Sequence, residues 1–215
     1  QATTYAEFCG GKGLNQSIAL AKAGAEVFHA GCVGQDGAAL IETLESAGVK
    51  TELIRTNHEP SGHAVIQVNH SGQNKIMIFG GANTHIPPGY IDQVLEHFHR
   101  GDMLLLQNEI SNVSYAIEQA KEKGLTVVFN PSPISSSITH YNLSKTDYFI
   151  LNEVEGRKLA GTCTEDGITL ILFLMVLLYR VRVLLTLQFQ YLLHIFFANS
   201  IAFFTTYLIW SFQKS

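Results

Sequence analysis

Apolar runs of strand length alternate along this chain with segments whose apolar residues recur at helical spacing. The runs predict strands over 27–33, 51–55, 102–107, 125–130 and 148–151, with room for one more in 1–8. The intervening segments predict helices over 14–23, 37–47, 87–98, 113–123 and 153–160, most of them ended by glycine. Such alternation predicts an α/β fold: a parallel sheet with helices on both faces and ligands at the carboxyl ends of its strands.

One stretch departs from this alternation. Residues 63–68 alternate between apolar and polar, Ser-Gly-Gln-Asn at 71–74 supplies turn chemistry, and 75–79 is a second apolar run. Together they predict a β-hairpin. Taken on these residues alone, the pattern favours an edge hairpin packed on the main sheet.

The string Gly-Gly-Lys-Gly-Leu-Asn-Gln occupies residues 10–16. Adjacent glycines let a ligand approach the backbone closely, and the first helical turn that follows carries N–H groups without helical partners. With Lys12 and Asn15 beside them, these donors predict a cradle for a polyol or an anion. The string lacks the spacing of a nucleotide-binding P-loop, and the alternative is a tight connection with no ligand.

Polar residues also follow the predicted strands. Glu109, Asn130 and Asn152 each stand at or just past a strand end, where parallel sheets bind their ligands. Asn152 has a simpler interpretation as a helix cap. Glu155 has one as a solvated carboxylate in the first turn of a helix, where the dipole favours it.

The string at 10–16 resembles the sugar-binding signature of the ribokinase (PfkB-type) family of carbohydrate kinases, closest to its ribokinase branch. Five further strings match that family in order and spacing: Val-Gly-Gln-Asp at 33–36, Gly-Gly-Ala-Asn at 80–83, Leu-Gln-Asn-Glu at 106–109, Phe-Asn-Pro-Ser-Pro at 129–133 and Asn-Glu-Val-Glu at 152–155. The resemblance spans about residues 5–166. It implies a ribokinase-like α/β fold in which a hairpin at about 62–80 forms a small β lid over the sugar.

The resemblance also implies an activity, the ATP-dependent phosphorylation of a pentose, D-ribose to ribose 5-phosphate. The sugar would be bound by five residues, with Lys12 donating to hydroxyls and Glu109 accepting from them: Gly11, Lys12, Gly13, Asn15 and Glu109. Asn152 would order the nucleotide phosphates, and Glu155 would hold Mg²⁺ through water. A monovalent cation and a homodimer formed through the lid are further implications.

Several of the family's parts are not found in these 215 residues. The string Gly-Ala-Gly-Asp, whose Asp is the base and whose amides form the anion hole, has no counterpart here, and the last carboxylate is Asp166. The N-terminal strand with a sugar-binding Asp is also missing, and the adenine pocket and cation loop would lie in the missing half. Asp36 is a poor substitute base, because its loop resembles a structural one. No catalytic residue is assigned, and we expect no turnover from the chain as it stands.

The chain changes character after residue 167. Residues 168–215 contain no glycine, proline or carboxylate, although the preceding part holds all 18 glycines and all 18 acids. We therefore divide the chain into a partial α/β domain, 1–167, and an atypical hydrophobic tail, 168–215. The tail is either an aberrantly translated segment or a membrane segment over 183–210. Within it, 183–187 stands where the family has a strand, through surviving register or by chance.

Charge and cysteine content limit which binding partners and which cellular compartment are expected. A net charge of −4 with no basic cluster gives no reason to expect nucleic acid. Three widely separated cysteines indicate neither a disulfide framework nor a metal site, so the expected compartment is the cytoplasm. The exposed edge of a half-sheet predicts poor solubility. The alternatives to a kinase are a catalytically dead remnant that binds sugar or pairs subunits, and a membrane-anchored half-kinase.

Overall fold

The protein, seen in a computed structural model, is described by the structure over residues 5–69, 71, 73–160 and 182–185. The chain divides into two compact units, residues 1–85 and residues 86–215. The helices and strands of the first unit are α1 (Lys12–Lys22), β1 (Phe28–Val33), α2 (Ala38–Ser46), β2 (Lys50–Thr56), β3 (His63–Val68) and β4 (Asn74–Phe79). A 3-10 turn at Gly81–Thr84 follows β4.

The core of the first unit forms between its two helices and a parallel pair of strands. β1 and β2 pair in parallel, with Val33 opposite Thr56 at their carboxyl ends. Buried Leu14, Leu44 and Val49 form the centre of the cluster, and its margin is partly buried: Ile18, Ala21, Val27, Leu40 and Ile54. The helical spacing of apolar residues in α1 therefore marks the face that packs.

The hairpin is a sheet of its own. β3 and β4 pair antiparallel, from His63 opposite Phe79 to Val68 opposite Asn74, and pair with no other strand in the described part of the chain. Every residue of β3 is exposed, as is each of 75–79 in β4. The predicted hairpin is confirmed, and the alternative of an edge pair packed on the main sheet is not what the structure shows.

The second unit holds the larger parallel sheet. Its elements are α3 (Pro88–Glu96), β5 (Met103–Gln107), α4 (Val113–Glu122), β6 (Thr126–Asn130), β7 (Tyr148–Leu151), α5 (Glu153–Ala160) and β8 (Arg182–Leu185). Two 3-10 turns, Ser136–His140 and Leu143–Lys145, connect β6 to β7. The four strands are parallel and lie in the order β5-β6-β7-β8.

The core of the second unit centres on the middle strands of this sheet. Phe129 of β6 and Phe149 of β7 are almost fully buried and meet edge to face, with ring centroids 6.1 Å apart. Ile117 and Ala120 of α4 are completely buried. Parallel strands connected by helices confirm the predicted α/β class.

Two details at the ends of the chain bear on the sequence predictions. Residues 5–8 form no strand; Tyr5 and Phe8 are exposed, and no strand in the described residues pairs with this segment, whereas a strand needs a partner for its backbone groups. In the tail, Leu185 of β8 lies opposite Leu151 of β7, which agrees with a surviving strand at 183–187. The remainder of the predicted tail, including most of 183–210, lies outside the described residues.

Candidate functional site

The glycine turn leads directly into α1. Gly11 has φ +104° and ψ 150°, a backbone conformation that residues other than glycine rarely adopt. α1 begins at the next residue, Lys12, two positions earlier than the apolar spacing predicted. A Cβ placed on Gly10 or on Gly11 would meet no atom within 4 Å. Space is therefore open beside this backbone, as close approach of a ligand requires.

The first turn of α1 presents donors at the same place. The residue that precedes the helix is Gly11, so no side chain caps the first N–H groups of α1. The Gly11 carbonyl oxygen accepts from the N–H of Asn15 at 3.0 Å. Asn15 is exposed and Lys12 is half-buried, whereas Leu14 points into the core. The four residues predicted here, Gly11, Lys12, Gly13 and Asn15, thus lie together on one open turn at a helix N-terminus.

The other predicted residues lie at one edge of the larger sheet. Gln107, which ends β5, pairs in register with Asn130, which ends β6, and β7 ends one residue before Asn152. Because the strands are parallel, Glu109, Asn130 and Asn152 lie at or just past strand ends at the same edge. The placement expected from the sequence is confirmed for all three.

Asn152 and Glu155 bond to each other's backbone. The Asn152 N–H donates to Glu155 Oε2 at 2.9 Å, and the Glu155 N–H donates to Asn152 Oδ1 at 2.9 Å. This reciprocal arrangement is a capping box at the start of α5. The interpretation of Asn152 as a helix cap is thus correct. Glu155 lies in the first turn as expected, but the residue is half-buried and its carboxylate is bonded to the backbone rather than solvated. Asn152 Nδ2 and Glu155 Oε1 take no part in these two bonds.

Asn108 holds the turn that carries Glu109. Its Nδ2 donates to the carbonyl oxygen of Pro133 at 2.7 Å and to Ser135 Oγ at 3.1 Å, and its Oδ1 accepts from the Tyr141 hydroxyl at 2.9 Å. The turn after β5 is therefore tied to the segment after β6. Only the string match pointed to residue 108, since its partners are 25 to 33 positions away.

Asp36 has a partner in the chain. Its Oδ1 accepts from the N–H of Ser61 at 2.9 Å and from the Ser61 hydroxyl at 2.8 Å. These bonds favour the charged form, so the Ser61 N–H first, then its hydroxyl, and more weakly the nearby His63 lower the pKa of Asp36 from its ordinary value of 3.8. A carboxyl held ionised in this way is a weak base, which supports the structural interpretation of its loop.

The described residues hold neither a cluster of metal ligands nor a membrane-spanning helix. That part of the chain contains no cluster of three or more His, Cys, Asp or Glu side chains arranged to hold a metal ion. None of its helices has the length and apolar character needed to cross a bilayer. The oxygens of Asn152 and Glu155 suit a magnesium ion that keeps most of its water, since such an ion needs only one or two protein carboxylates.

A family model described as "pfkB family carbohydrate kinase" matches residues 1–174. Two curated relatives are each 36% identical to the chain: a deoxyribokinase of Salmonella typhi over 166 residues, and a ribokinase of Haemophilus influenzae over 162. The alignments cover 75% and 73% of this chain. They cover 54% and 53% of the relatives, so the chain spans about half the length of the curated relatives it matches.

Solved structures show the same likeness. Ribokinase from Thermotoga maritima superposes with a TM-score of 0.73 at 31% identity, over 86% of this chain and 62% of that one. Ribokinase from Arabidopsis thaliana, a structure described as complexed with ribose and ATP, superposes with a TM-score of 0.70 at 28% identity, over 85% and 61% of the two chains. The fold of this chain is thus ribokinase-like.

Proposed function

The chain belongs to the pfkB family of carbohydrate kinases, and from that premise we propose that it is the sugar-binding part of an ATP-dependent pentose kinase. The substrate is D-ribose, converted to ribose 5-phosphate. Relatives named ribokinase and deoxyribokinase support a pentose. The observation that carries the proposal is the open glycine turn, with Lys12 and Asn15 beside unfilled space at the start of α1.

In this proposal the sugar is held by hydrogen bonds of both directions. Lys12, Asn15 and the N–H groups around Gly11 and Gly13 donate to its hydroxyls. Glu109, as the acceptor from those hydroxyls, is assigned by the family resemblance alone. Each hydroxyl of a polyol both donates and accepts, whereas an anion only accepts, so a site with both kinds of partner favours a polyol over an anion. The proposal concerns the partial α/β domain, residues 1–167. Within it, the hairpin at about 62–80 forms the lid over the sugar.

ATP is the co-substrate in this proposal. Asn152 would orient its phosphates at the start of α5, where N–H groups favour negative charge. Glu155 would hold Mg²⁺ through water, and the ion would neutralise charge on the phosphates during transfer. Because one oxygen of Glu155 already serves the capping box, the second oxygen is the one assigned to the hydrated ion. A monovalent cation, implied by the family, is assigned to no residue of this chain.

We assign no base to the described residues. Phosphoryl transfer needs a group that takes the proton of the sugar hydroxyl, the string Gly-x-Gly-Asp is absent from the sequence, and Asp36 is bonded to Ser61. These 215 residues therefore bind the pentose without turning it over. The expected location, the cytoplasm, is part of the same proposal.

Calorimetric titration with ribose, 2-deoxyribose and fructose tests the binding step. We expect ribose to bind and Lys12→Met to weaken it by about tenfold, the equivalent of one lost hydrogen bond to a charged group. Lys22→Met, at the other end of the same helix, is the matched control and leaves the affinity unchanged. A coupled ADP assay on the same samples is expected to show no turnover; measurable turnover overturns the absence of a base, and absence of any sugar binding overturns the proposal.

A second role, pairing of subunits through the hairpin, is favoured by one observation. Cross-strand partners share a face, so the register places five apolar residues on one side of the hairpin: Ala64, Ile66, Val68, Ile76 and Ile78. All five are exposed. We propose that a second copy of this chain covers this side, which is called the apolar face below. The third candidate, a membrane-anchored half-kinase, rests on 183–210, and 183–185 of that stretch lie in β8.

A further inference from the structure

We propose that Asp36 and Ser61 form a latch at the root of the hairpin and act as positioning residues for it. The latch consists of these two side chains and the backbone N–H of Gly34. It joins the turn after β1 to the segment that leads into β3. No motif in the sequence pointed to Ser61.

The latch is fully bonded on the β1 side. Ser61 is 6% exposed, and its hydroxyl donates to Asp36 Oδ1 at 2.8 Å while it accepts from the N–H of Gly34 at 2.9 Å. The Ser61 N–H donates to the same carboxylate oxygen at 2.9 Å. Moving Ser61 away would leave its buried hydroxyl without hydrogen-bond partners, which costs free energy. The bonds therefore hold the segment before β3 against the turn after β1.

The segment is held from a second side by the turn after β4. The carbonyl oxygen of Pro60 accepts from the N–H of Ala82 at 2.9 Å, and Ala82 is completely buried. Gly81 has φ +48°, and a Cβ added there would overlap the Pro60 oxygen. Residues 60–61 are thus gripped between the turn after β1 and the turn after β4.

These contacts lie where both strands of the hairpin leave the unit. β3 begins at His63, two residues after Ser61, and β4 ends at Phe79, two residues before Gly81. The strands are exposed along their described length and pair with no other described strand. The bonds at the root are therefore the ones that set the direction in which the hairpin projects.

The importance of this latch for the sugar rests on the function proposed above, because only a hairpin that covers the sugar transmits a change at its root to the ligand. Asp36 and Ser61 themselves contact neither sugar nor nucleotide in this proposal. The latch as a structural coupling stands independently of that function, and the two are tested by separate measurements.

Hydrogen exchange of the full chain, read by mass spectrometry, tests the latch in wild type, Ser61→Ala and Asp36→Ala. We expect exchange at Ala82 to rise by about tenfold in both variants. Exchange should also rise at Gly34 in Ser61→Ala and at Ser61 in Asp36→Ala, because each substitution removes the acceptor of that amide. Ala82 is the decisive amide, since neither substitution removes its own acceptor. Ser46→Ala is the matched control; its hydroxyl donates to Thr43 O at 2.9 Å in α2, away from the latch.

Two further variants separate a latch from general loosening. Asp36→Asn keeps an oxygen that accepts both bonds, so we expect it to retain most of the protection at Ala82. The double variant Asp36→Ala/Ser61→Ala is expected to raise exchange at Ala82 by less than the two single variants combined, because both substitutions remove the same bond between the Ser61 hydroxyl and Asp36. Unchanged exchange at Leu44, in the core of the same unit, shows that the unit remains folded.

The outcomes are distinguishable. If only Gly34 and Ser61 exchange faster while Ala82 behaves as in wild type, the bonds are local and the latch is overturned. If Ala82 responds and wild type binds no ribose, the latch stands and the proposed function falls. If ribose binds and Ala82 responds, we expect Ser61→Ala to weaken ribose several-fold more than Ser46→Ala does; equal affinities overturn the positioning role.

Discussion

Thr146 is a buried residue with an unsatisfied hydroxyl. It is 2% exposed, and its Oγ1 has no hydrogen-bond partner in the described residues. Burying a hydroxyl without a partner costs free energy, whereas an apolar group of the same shape does not. We therefore predict that Thr146→Val leaves the free energy of unfolding unchanged or raises it by about 1 kcal/mol, measured by urea denaturation.

Thr84→Val is the control for that substitution. Thr84 Oγ1 donates to the carbonyl oxygen of Gly81 at 2.8 Å, so the same change should lower the free energy of unfolding by about 0.5–1.5 kcal/mol. If Thr146→Val costs as much as Thr84→Val, the Thr146 hydroxyl has a partner in solution and the prediction is wrong.

Asp36 gives the protein a pH dependence of known sign. Bonds from Ser61 lower its pKa in the folded state below the ordinary value of 3.8. Its contribution to stability is therefore present above about pH 4 and is lost as the pH falls through the folded-state pKa. We predict that the thermal midpoint of wild type exceeds that of Asp36→Asn at pH 7, and that this difference shrinks as the pH is lowered to 3. A difference that stays constant over this range contradicts the assignment.

The sequence predicted the position in the fold of some site residues but not of others. Glu109, Asn130 and Asn152 were placed correctly because parallel strands bring their carboxyl ends to one edge, so position in the chain implies position in space. Ser61 was missed. Its partners at Gly34 and Asp36 are 27 and 25 residues away, and neither periodicity nor a motif marks such a contact.

At the scale of elements, α5 depends on the capping box that opens it. Asn152→Ala removes the acceptor for the Glu155 N–H, and loss of such a cap costs about 0.5–2 kcal/mol. We predict faster hydrogen exchange through the first turn of α5, with β5 and β6 unchanged. Glu155→Gln should keep the helix, since glutamine serves in the same box. If both variants lose protection from exchange in α5 to the same extent, Glu155→Gln does not preserve the cap and this prediction is wrong.

Glu155→Gln also separates helix capping from magnesium binding. The substitution keeps an oxygen for the Asn152 N–H and removes the negative charge that attracts a cation. We predict that it leaves exchange in α5 near wild type while it abolishes any magnesium dependence of ATP binding, measured by titration with and without the ion. Magnesium dependence that survives in Glu155→Gln removes the proposed metal role from this residue.

The elements themselves were predictable where packing follows periodicity. The stripe of Leu14, Ile18 and Ala21 became the packed face of α1, and the alternation of 63–68 became one strand of a hairpin. Whether that hairpin packs on a sheet or projects from it was not predictable from the residues alone. Both arrangements fit the same alternation, and the choice depends on root contacts such as Pro60 with Ala82.

At the scale of the whole molecule, two apolar surfaces offer routes to self-association. One is the apolar face of the hairpin. The other is β5, the first strand in the order of the larger sheet, which begins at the exposed Met103. An exposed strand edge pairs readily with another chain and leads to open-ended aggregation, whereas a flat apolar face that pairs with its own copy closes after two chains.

We predict that the hairpin face is the one that pairs. Burying one isoleucine contributes roughly 1.5–3 kcal/mol, so Ile78→Lys should raise the Kd of the dimer by more than about tenfold in sedimentation velocity. Met77→Lys is the matched control, because Met77 is the adjacent residue, equally exposed, and points to the opposite side of the hairpin. If Met103→Lys abolishes association while Ile78→Lys does not, chains join through the sheet edge instead. A wild-type chain that stays monomeric at every concentration tested removes both routes, because an apolar surface that finds no partner at high concentration is not an interface.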